Sequence, residues 1–272
     1  MTDIRKTVNW LIEDFATENQ TAELAEAVKE LGFNIKICDY RNHFNQGWPQ
    51  YFKDDECVVT QTSIQSSHSI MARTLWEPGP WYDKHKFDCQ YYYPFFGSYL
   101  FNDKYIMLPV GDVLRRIDDV YSWLGKDKVV FIRPSGGAKS FTGEVFYREE
   151  FERLWDIRCS YGAKDSDIVV ISTPKTIKSE FRYVIGNGEI IASSHYKGKK
   201  VSAPHEFVRE VLKTTTYNPH PVWCLDIALD SDYEPWVLEV GSFSVSGLYD
   251  CNKKDIVKKV SQIAYDEFIK EV

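Results

Sequence analysis

Cysteine is sparse and unpatterned in these 272 residues. Cys38, Cys57, Cys89, Cys159, Cys224 and Cys251 form no CxxC pair, which excludes a zinc ribbon and argues against a disulfide framework. The histidines (His43, His68, His85, His195, His205 and His220) show no ligand-type spacing either. Long apolar runs are missing. The stretch Val8–Ile12 stops at Glu13 and Asp14, too short for the centre of a signal peptide, and the longest aromatic-aliphatic run, residues 91–101, is half a membrane span and contains Pro94. Basic charge is in deficit, with 33 Lys and Arg against 40 Asp and Glu for a net −7, so neither nucleic acid nor an anionic membrane is an expected partner. There is no low-complexity tract, and 15% aromatic residues exclude disorder. A cytoplasmic protein with enough apolar material for a sizeable core is expected.

Apolar periodicity gives the organisation. Val8–Ile12 reads as a strand, 19–31 as a helix closing on Gly32, and 33–38 as a strand, together a βαβ unit. A further strand at 57–60 and a short helix at 64–73 follow. Beyond residue 110 the pattern predicts helices over 112–124, 149–157, 207–213 and 253–270, with apolar strands at 129–132 and 168–171. Two antiparallel pairs stand out: 180–185 with 189–194 around Gly186-Asn187-Gly188, and 222–229 with 235–240. Between the halves, residues 76–101 hold eleven aromatics, three prolines and two glycines, so regular helix is not expected there. This segment reads either as a connection pinned to the core by its rings or as a donor of rings to a ligand pocket.

Three constellations carry chemistry. The first follows the strand ending in Arg133-Pro134: the loop Ser135-Gly136-Gly137-Ala138-Lys139-Ser140-Phe141-Thr142-Gly143 combines glycines, hydroxyls and a lysine. Glycines let backbone N–H groups approach an anion and the two cations neutralise it, although a polar Gly-Gly loop can equally be only a turn. The second is acidic. Asp226 and Glu239 lie in apolar strands predicted to pair, so their carboxylates either share a cation, with Mg²⁺ and phosphates as the natural occupants, or point to solvent. The third is Glu180-Phe181-Arg182, whose spacing of two puts both charges on one strand face, as a surface ion pair or with Arg182 presented to a developing negative charge.

The order of these motifs resembles the ATP-grasp superfamily: strand with cation-Pro, Gly-rich loop, helix, strand into a Pro hinge, E-x-R, a Gly-x-Gly hairpin, an Asp strand and a closing Leu238-Glu239 strand. The resemblance implies an α+β ATP-grasp fold, two α+β subdomains clasping ATP over about 110–173 and 174–272. A smaller α/β domain of βαβ type would precede it over 1–109. It implies that Arg133 contacts the nucleotide where most members carry lysine, a departure similar to a bacterial and phage amidoligase clade. It implies that Ser135, Gly136, Gly137, Lys139, Ser140 and Thr142 cover the β- and γ-phosphates, and that Ser172, Thr173 and Lys175 form the adenine and ribose hinge. Glu180 would join the ATP site, Arg182 with Lys139 would stabilise the transferred phosphoryl group, and Asp226 and Glu239 would bind the metal. The usual closing E-x-N is here Glu239-Val240-Gly241, so Ser242, Asp230 or water would have to complete the metal shell. The Ser/Gly-rich stretch 241–249 reads as a flap over the site or as a surface loop, and His195 and Tyr196 as candidates for the acceptor side.

The implied activity is an ATP- and Mg²⁺-dependent carboxylate–amine ligase working through an acyl phosphate on small-molecule or peptide substrates. Two other readings remain open at this stage: a nucleotide-holding module without turnover, motivated by Gly241, and an interaction protein docking through 76–101.

Overall fold

A computed structural model describes residues 3–14, 19–39, 48, 51–125, 127–136, 141–159 and 162–271. The first apolar runs form a four-stranded parallel sheet in the order β2-β1-β3-β4. β1 (Val8–Asp14) leads through helix α1 (Asn19–Glu30) to β2 (Asn34–Asp39), so the βαβ unit forms as expected. β3 (Cys57–Gln61), helix α2 (Ile64–Arg73) and the three-residue β4 (Glu77–Gly79) complete it. A parallel sheet must be covered on both faces. Accordingly Trp10, Ile12 and Val59 enter one core and Leu11, Val58 and Ile70 the other. The buried Glu13 carboxylate at the end of β1 accepts from Ser63 N at 2.5 Å and Ser66 Oγ at 2.9 Å, which fixes the start of α2.

Residues 76–101 depart from expectation. Cys89–Phe96 is a helix, α3, with Pro94 inside it. An interior proline costs about 3 kcal/mol. Burial of Tyr92, Tyr93 and Phe96, at roughly 2 kcal/mol per ring, offsets that cost. Most rings of the segment belong to the core, while Tyr91 and Phe95 remain exposed.

The second sheet is antiparallel, β5-β8-β6-β7. It begins with β5 (Tyr105–Pro109), passes helix α4 (Ile117–Leu124) to β6 (Val129–Pro134) and β7 (Glu144–Tyr147), and returns through α5 (Phe151–Cys159) to β8 (Ile168–Ser172). Val130, Ile132, Phe146, Phe151 and Trp155 form its own core.

The third sheet, β10-β9-β11-β12, carries the candidate chemistry. β9 (Ser179–Gly186) and β10 (Glu189–Gly198) join through Asn187 and Gly188, at φ 49° and 80°. Two successive positive φ values are what a type I′ hairpin turn demands. Helix α6 (His205–Thr214), β11 (Val222–Leu229) and β12 (Pro235–Ser242) follow, and α7 (Lys253–Glu271) closes the chain. All of β11 is buried. One face of this sheet (Phe181, Tyr183, Trp223, Leu225) packs on α3 and α6, and the other (Val184, Cys224) shares a core with the first sheet through α7. No helix among the described residues is long and apolar enough to cross a membrane.

Candidate active site

Strand register assembles the site. Arg182 of β9 lies opposite Asp226 of β11, and Asp226 lies opposite Glu239 of β12. Arg182 grips Asp226 with two parallel bonds, Nε to Oδ1 at 2.5 Å and Nη2 to Oδ2 at 2.8 Å, and donates from Nη1 to Gly247 O at 2.7 Å. Burial alone would depress the guanidinium pKa, but Asp226 holds it well above the ordinary value, so Arg182 is a permanent cation. Its carbon lies 5.1 Å from the Tyr249 ring centre and 6.0 Å from that of Tyr196.

Tyr196 is brought in by a β-bulge. The β10 register slips between His195 and Lys197, and bulges re-aim side chains in this way. The Tyr196 hydroxyl donates to Glu180 Oε2 at 2.8 Å and lies 3.4 Å from Asp226 Oδ2, while its ring stacks on Tyr249 at 4.4 Å and 6°. Burial first, then Asp226 and Glu180, raise its pKa far above that of a free phenol, so it stays protonated as a donor. His195 sits edge-on to Phe181 instead, at 5.3 Å, away from this cluster. Glu180 also pairs with Lys197 at 2.8 Å.

From the second sheet, Arg133 Nη2 reaches Glu239 Oε1 at 2.8 Å. Burial disfavours its charge, but Glu239 holds its pKa well above normal, and the guanidinium lies near Cys89, Tyr92 and Tyr93. Ser135 is buried and bound to the start of α3, its carbonyl accepting from Cys89 N at 2.9 Å and its Oγ from Gln90 N at 3.2 Å. A Cβ on Gly136 would stand 3.3 Å from Asp88 Oδ1. Thr142 is exposed, and Gly137, Lys139 and Ser140 lie outside the described residues. At the hinge, Ser172 Oγ donates to Asn102 Oδ1 at 3.2 Å and Thr173 Oγ1 to Leu124 O at 2.9 Å. Lys175 Nζ meets Asp103 at 2.5 Å, 4.9 Å from the Trp236 ring centre. The side chains of Ser172, Thr173 and Lys175 are thus tied to protein groups.

A cavity of about 250 Å³ contains Arg182, Asp226 and Glu239, with Tyr82 and Phe87 from residues 76–101 on its wall. A second cavity, about 340 Å³, opens at the carboxyl end of β3 against Thr21, Gln61 and Ser63. Val245, Ser246, Gly247 and Tyr249 line both, so the Ser/Gly-rich stretch is a partition between them. Burial raises the Cys224 thiol in the first cavity to about 12, which removes it as a nucleophile.

Residues 114–259 match the model of an ATP-grasp domain, the second family of its clade. The chain belongs to this ATP-grasp family. No curated protein matches it in sequence. Among solved structures it is similar to the D-cycloserine synthetase DcsG, with 14% identity and a TM-score of 0.67 over 94% of this chain and 99% of that one. It is also similar to D-alanyl-alanine synthetase A from Vibrio cholerae O1 biovar eltor str. N16961, at 9% identity and TM-score 0.60 over 97% and 98%. The ATP-grasp ligase PsnB, complexed with a minimal precursor, aligns at 10% identity and 0.57 over 94% and 99%. These likenesses establish the ATP-grasp fold.

Two carboxylates at paired positions in an ATP-grasp cavity fit a Mg²⁺ ion, which commonly takes one or two protein carboxylates and draws its remaining oxygens from phosphates and water. The described residues contain no cluster of three His, Cys, Asp or Glu. Neither sequence candidate for a further ligand is positioned for it. Ser242 Oγ donates to Trp81 O at 2.6 Å and accepts from Ser244 N, while Asp230 is occupied within its own turn by Asp232 N, Glu234 N and Trp236 Nε1. Sequence reasoning did not single out Ser246 or the Tyr196–Tyr249 stack. A bulge and a loop return have no periodic signature, so only the naming of Tyr196 beside His195 and the Ser/Gly-rich composition of 241–249 pointed there.

Proposed function

We propose that the chain is an ATP-dependent carboxylate–amine ligase that works through an acyl phosphate. The observation that carries this reading is the grip of Arg182 on Asp226 beside Glu239 in one cavity, fixed cations facing fixed acids. A substrate carboxylate oxygen attacks the γ-phosphorus, the bond to the β–γ bridging oxygen breaks, and ADP leaves. An amine nitrogen then attacks the acyl carbon, phosphate departs with the C–O electron pair, and the nitrogen loses a proton. Arg182 and Arg133 offset the charge of the phosphoryl group, with Lys139 in the same role on the loop. Asp226 and Glu239 hold Mg²⁺, which when bound neutralises the phosphate oxygens. Ser135–Thr142 cover the phosphates, and 172–175 take the adenine and ribose with Glu180 close by. The partition 245–249 keeps water from the acyl phosphate.

In this reading residues 110–272 are the ATP-grasp domain, 1–109 precede it, and Arg133 stands in the place of the usual lysine, as in an amidoligase. The substrates are a small-molecule or peptide carboxylate and an amine. The neighbouring proteins are described as synthetases and ligases, one of them bound to a precursor, which supports this class. Phosphate release from Mg-ATP, screened against pools of amino acids and peptides, tests it. Pool-dependent release that disappears in Asp226→Ala is the expected result. ATP binding with no release in any pool would favour the nucleotide-holding module, for which Gly241 speaks.

A further inference from the structure

Position 241 shares a β12 face with Glu239, two residues earlier, so a side chain there would stand next to the Glu239 carboxylate. Glycine supplies none. The space is not empty, however: a Cβ built on Gly241 would lie 2.9 Å from Ser246 Oγ. The Ser246 hydroxyl therefore occupies the spot that the 241 side chain vacates. It lines the cavity that holds Asp226 and Glu239.

The backbone that carries it is fixed from several sides. Ser246 O accepts from Gln61 Nε2 at 2.6 Å and Ser246 N donates to Phe243 O at 3.4 Å. The preceding turn is fastened to the first sheet, with Thr62 N donating to Ser244 O at 2.7 Å and Thr60 Oγ1 to Ser244 Oγ at 3.4 Å. The hydroxyl itself meets the weakly polar thiol of Cys224, the residue directly across from Gly241. A neutral oxygen lining the same cavity as two carboxylates is the kind of hard donor that Mg²⁺ and Mn²⁺ prefer.

We infer that the Ser246 hydroxyl is the third protein oxygen of a divalent-cation site formed with Asp226 and Glu239, supplied by a loop because β12 carries glycine at 241. This rests on the nucleotide-dependent reading above and adds a residue to its site. The pairing of Gly241 with Ser246 is then a single adaptation: the glycine makes room, and the serine fills it with an oxygen.

The test is Mn²⁺ binding, followed by electron paramagnetic resonance, to the full chain saturated with the non-hydrolysable ATP analogue AMPPNP. Wild type is compared with Ser246→Ala and Ser246→Cys, and melting temperatures establish that both variants fold. Ser246→Ala is expected to raise the Mn²⁺ dissociation constant about tenfold. Ser246→Cys should weaken Mn²⁺ similarly while binding Cd²⁺ more tightly than wild type, because a thiolate is the softer ligand. A Mn²⁺ constant in Ser246→Ala within twofold of wild type would overturn the inference while leaving the ligase reading intact. No nucleotide-dependent Mn²⁺ binding in wild type would overturn both. Should Ser246→Ala not fold, the Cd²⁺ preference of Ser246→Cys decides alone, its absence counting against the role.

Discussion

Arg133 and Glu239 hold each other at 2.8 Å although they stand on different sheets, β6 of the second and β12 of the third. Their side chains are only 11% and 23% exposed. The pair thus acts as a strap between the two layers. Glu239→Gln would leave a buried guanidinium facing a neutral amide. The expected loss is about 3 kcal/mol of unfolding free energy. Urea denaturation reads it as a lower midpoint at constant slope, and a change under about 0.5 kcal/mol would mean that the strap carries no stability.

Tyr196 separates into a hydroxyl and a ring. Tyr196→Phe removes the donor to Glu180 and Asp226 and should cost about 1 kcal/mol. Tyr196→Leu also loses the stack on Tyr249 and should cost roughly 1 kcal/mol more. Equal stability of the two variants in denaturant would show that the stack contributes nothing.

His220 makes the fold sensitive to acid. Burial, then the nearby Lys86, lowers its pKa from 6.5 to about 4, and its Nε2 has no hydrogen-bond partner among the described residues. The unfolded chain therefore takes up this proton first. The contribution is fully present above pH 6.5 and drains away as pH falls toward 4, up to about 3 kcal/mol in all. His220→Phe keeps a ring beside Phe87 and should remove this part of the slope. Unfolding free energies of the two proteins at about pH 7 and pH 4 give the comparison, and identical slopes would refute the assignment.

Restoring a side chain at 241 should be costly. Gly241→Asn forces its Cβ against Ser246 Oγ, and because a side-chain hydroxyl is what must move, the expected loss is about 1 kcal/mol. Combined with Ser246→Gly most of that loss should return. A double-mutant cycle showing simple additivity would mean that the two positions do not compete for one space.

Where alternation or helical spacing was clean, the sequence was sufficient. The βαβ unit, the hairpin around Asn187-Gly188 and the facing of Asp226 and Glu239 were all readable, because strand period and turn chemistry determine them locally. The helix at Cys89–Phe96 was not, since Pro94 argues against helix and only the packing of Tyr92, Tyr93 and Phe96 between two sheets overrides it. β5 and β7 escaped for a related reason. Five and four residues long, they are defined by their partners β8 and β6. At the site, the charged residues announced themselves. Tyr196 was named only together with His195, because a one-residue bulge decides which of the two faces the cluster.

Helix α7 ties distant parts of the chain into one core. Trp10 on β1 donates its indole N–H to Ser261 Oγ, a contact spanning 251 residues, and Trp81 does the same to Glu267. Val8, Trp10, Cys57 and Val59 share their core with α1 and α7, and its cover is complete only once α7 is in place. A polypeptide is made from its amino end, and this helix is synthesised after every strand it covers. That face of the first sheet therefore completes its core only after the last helix has been made.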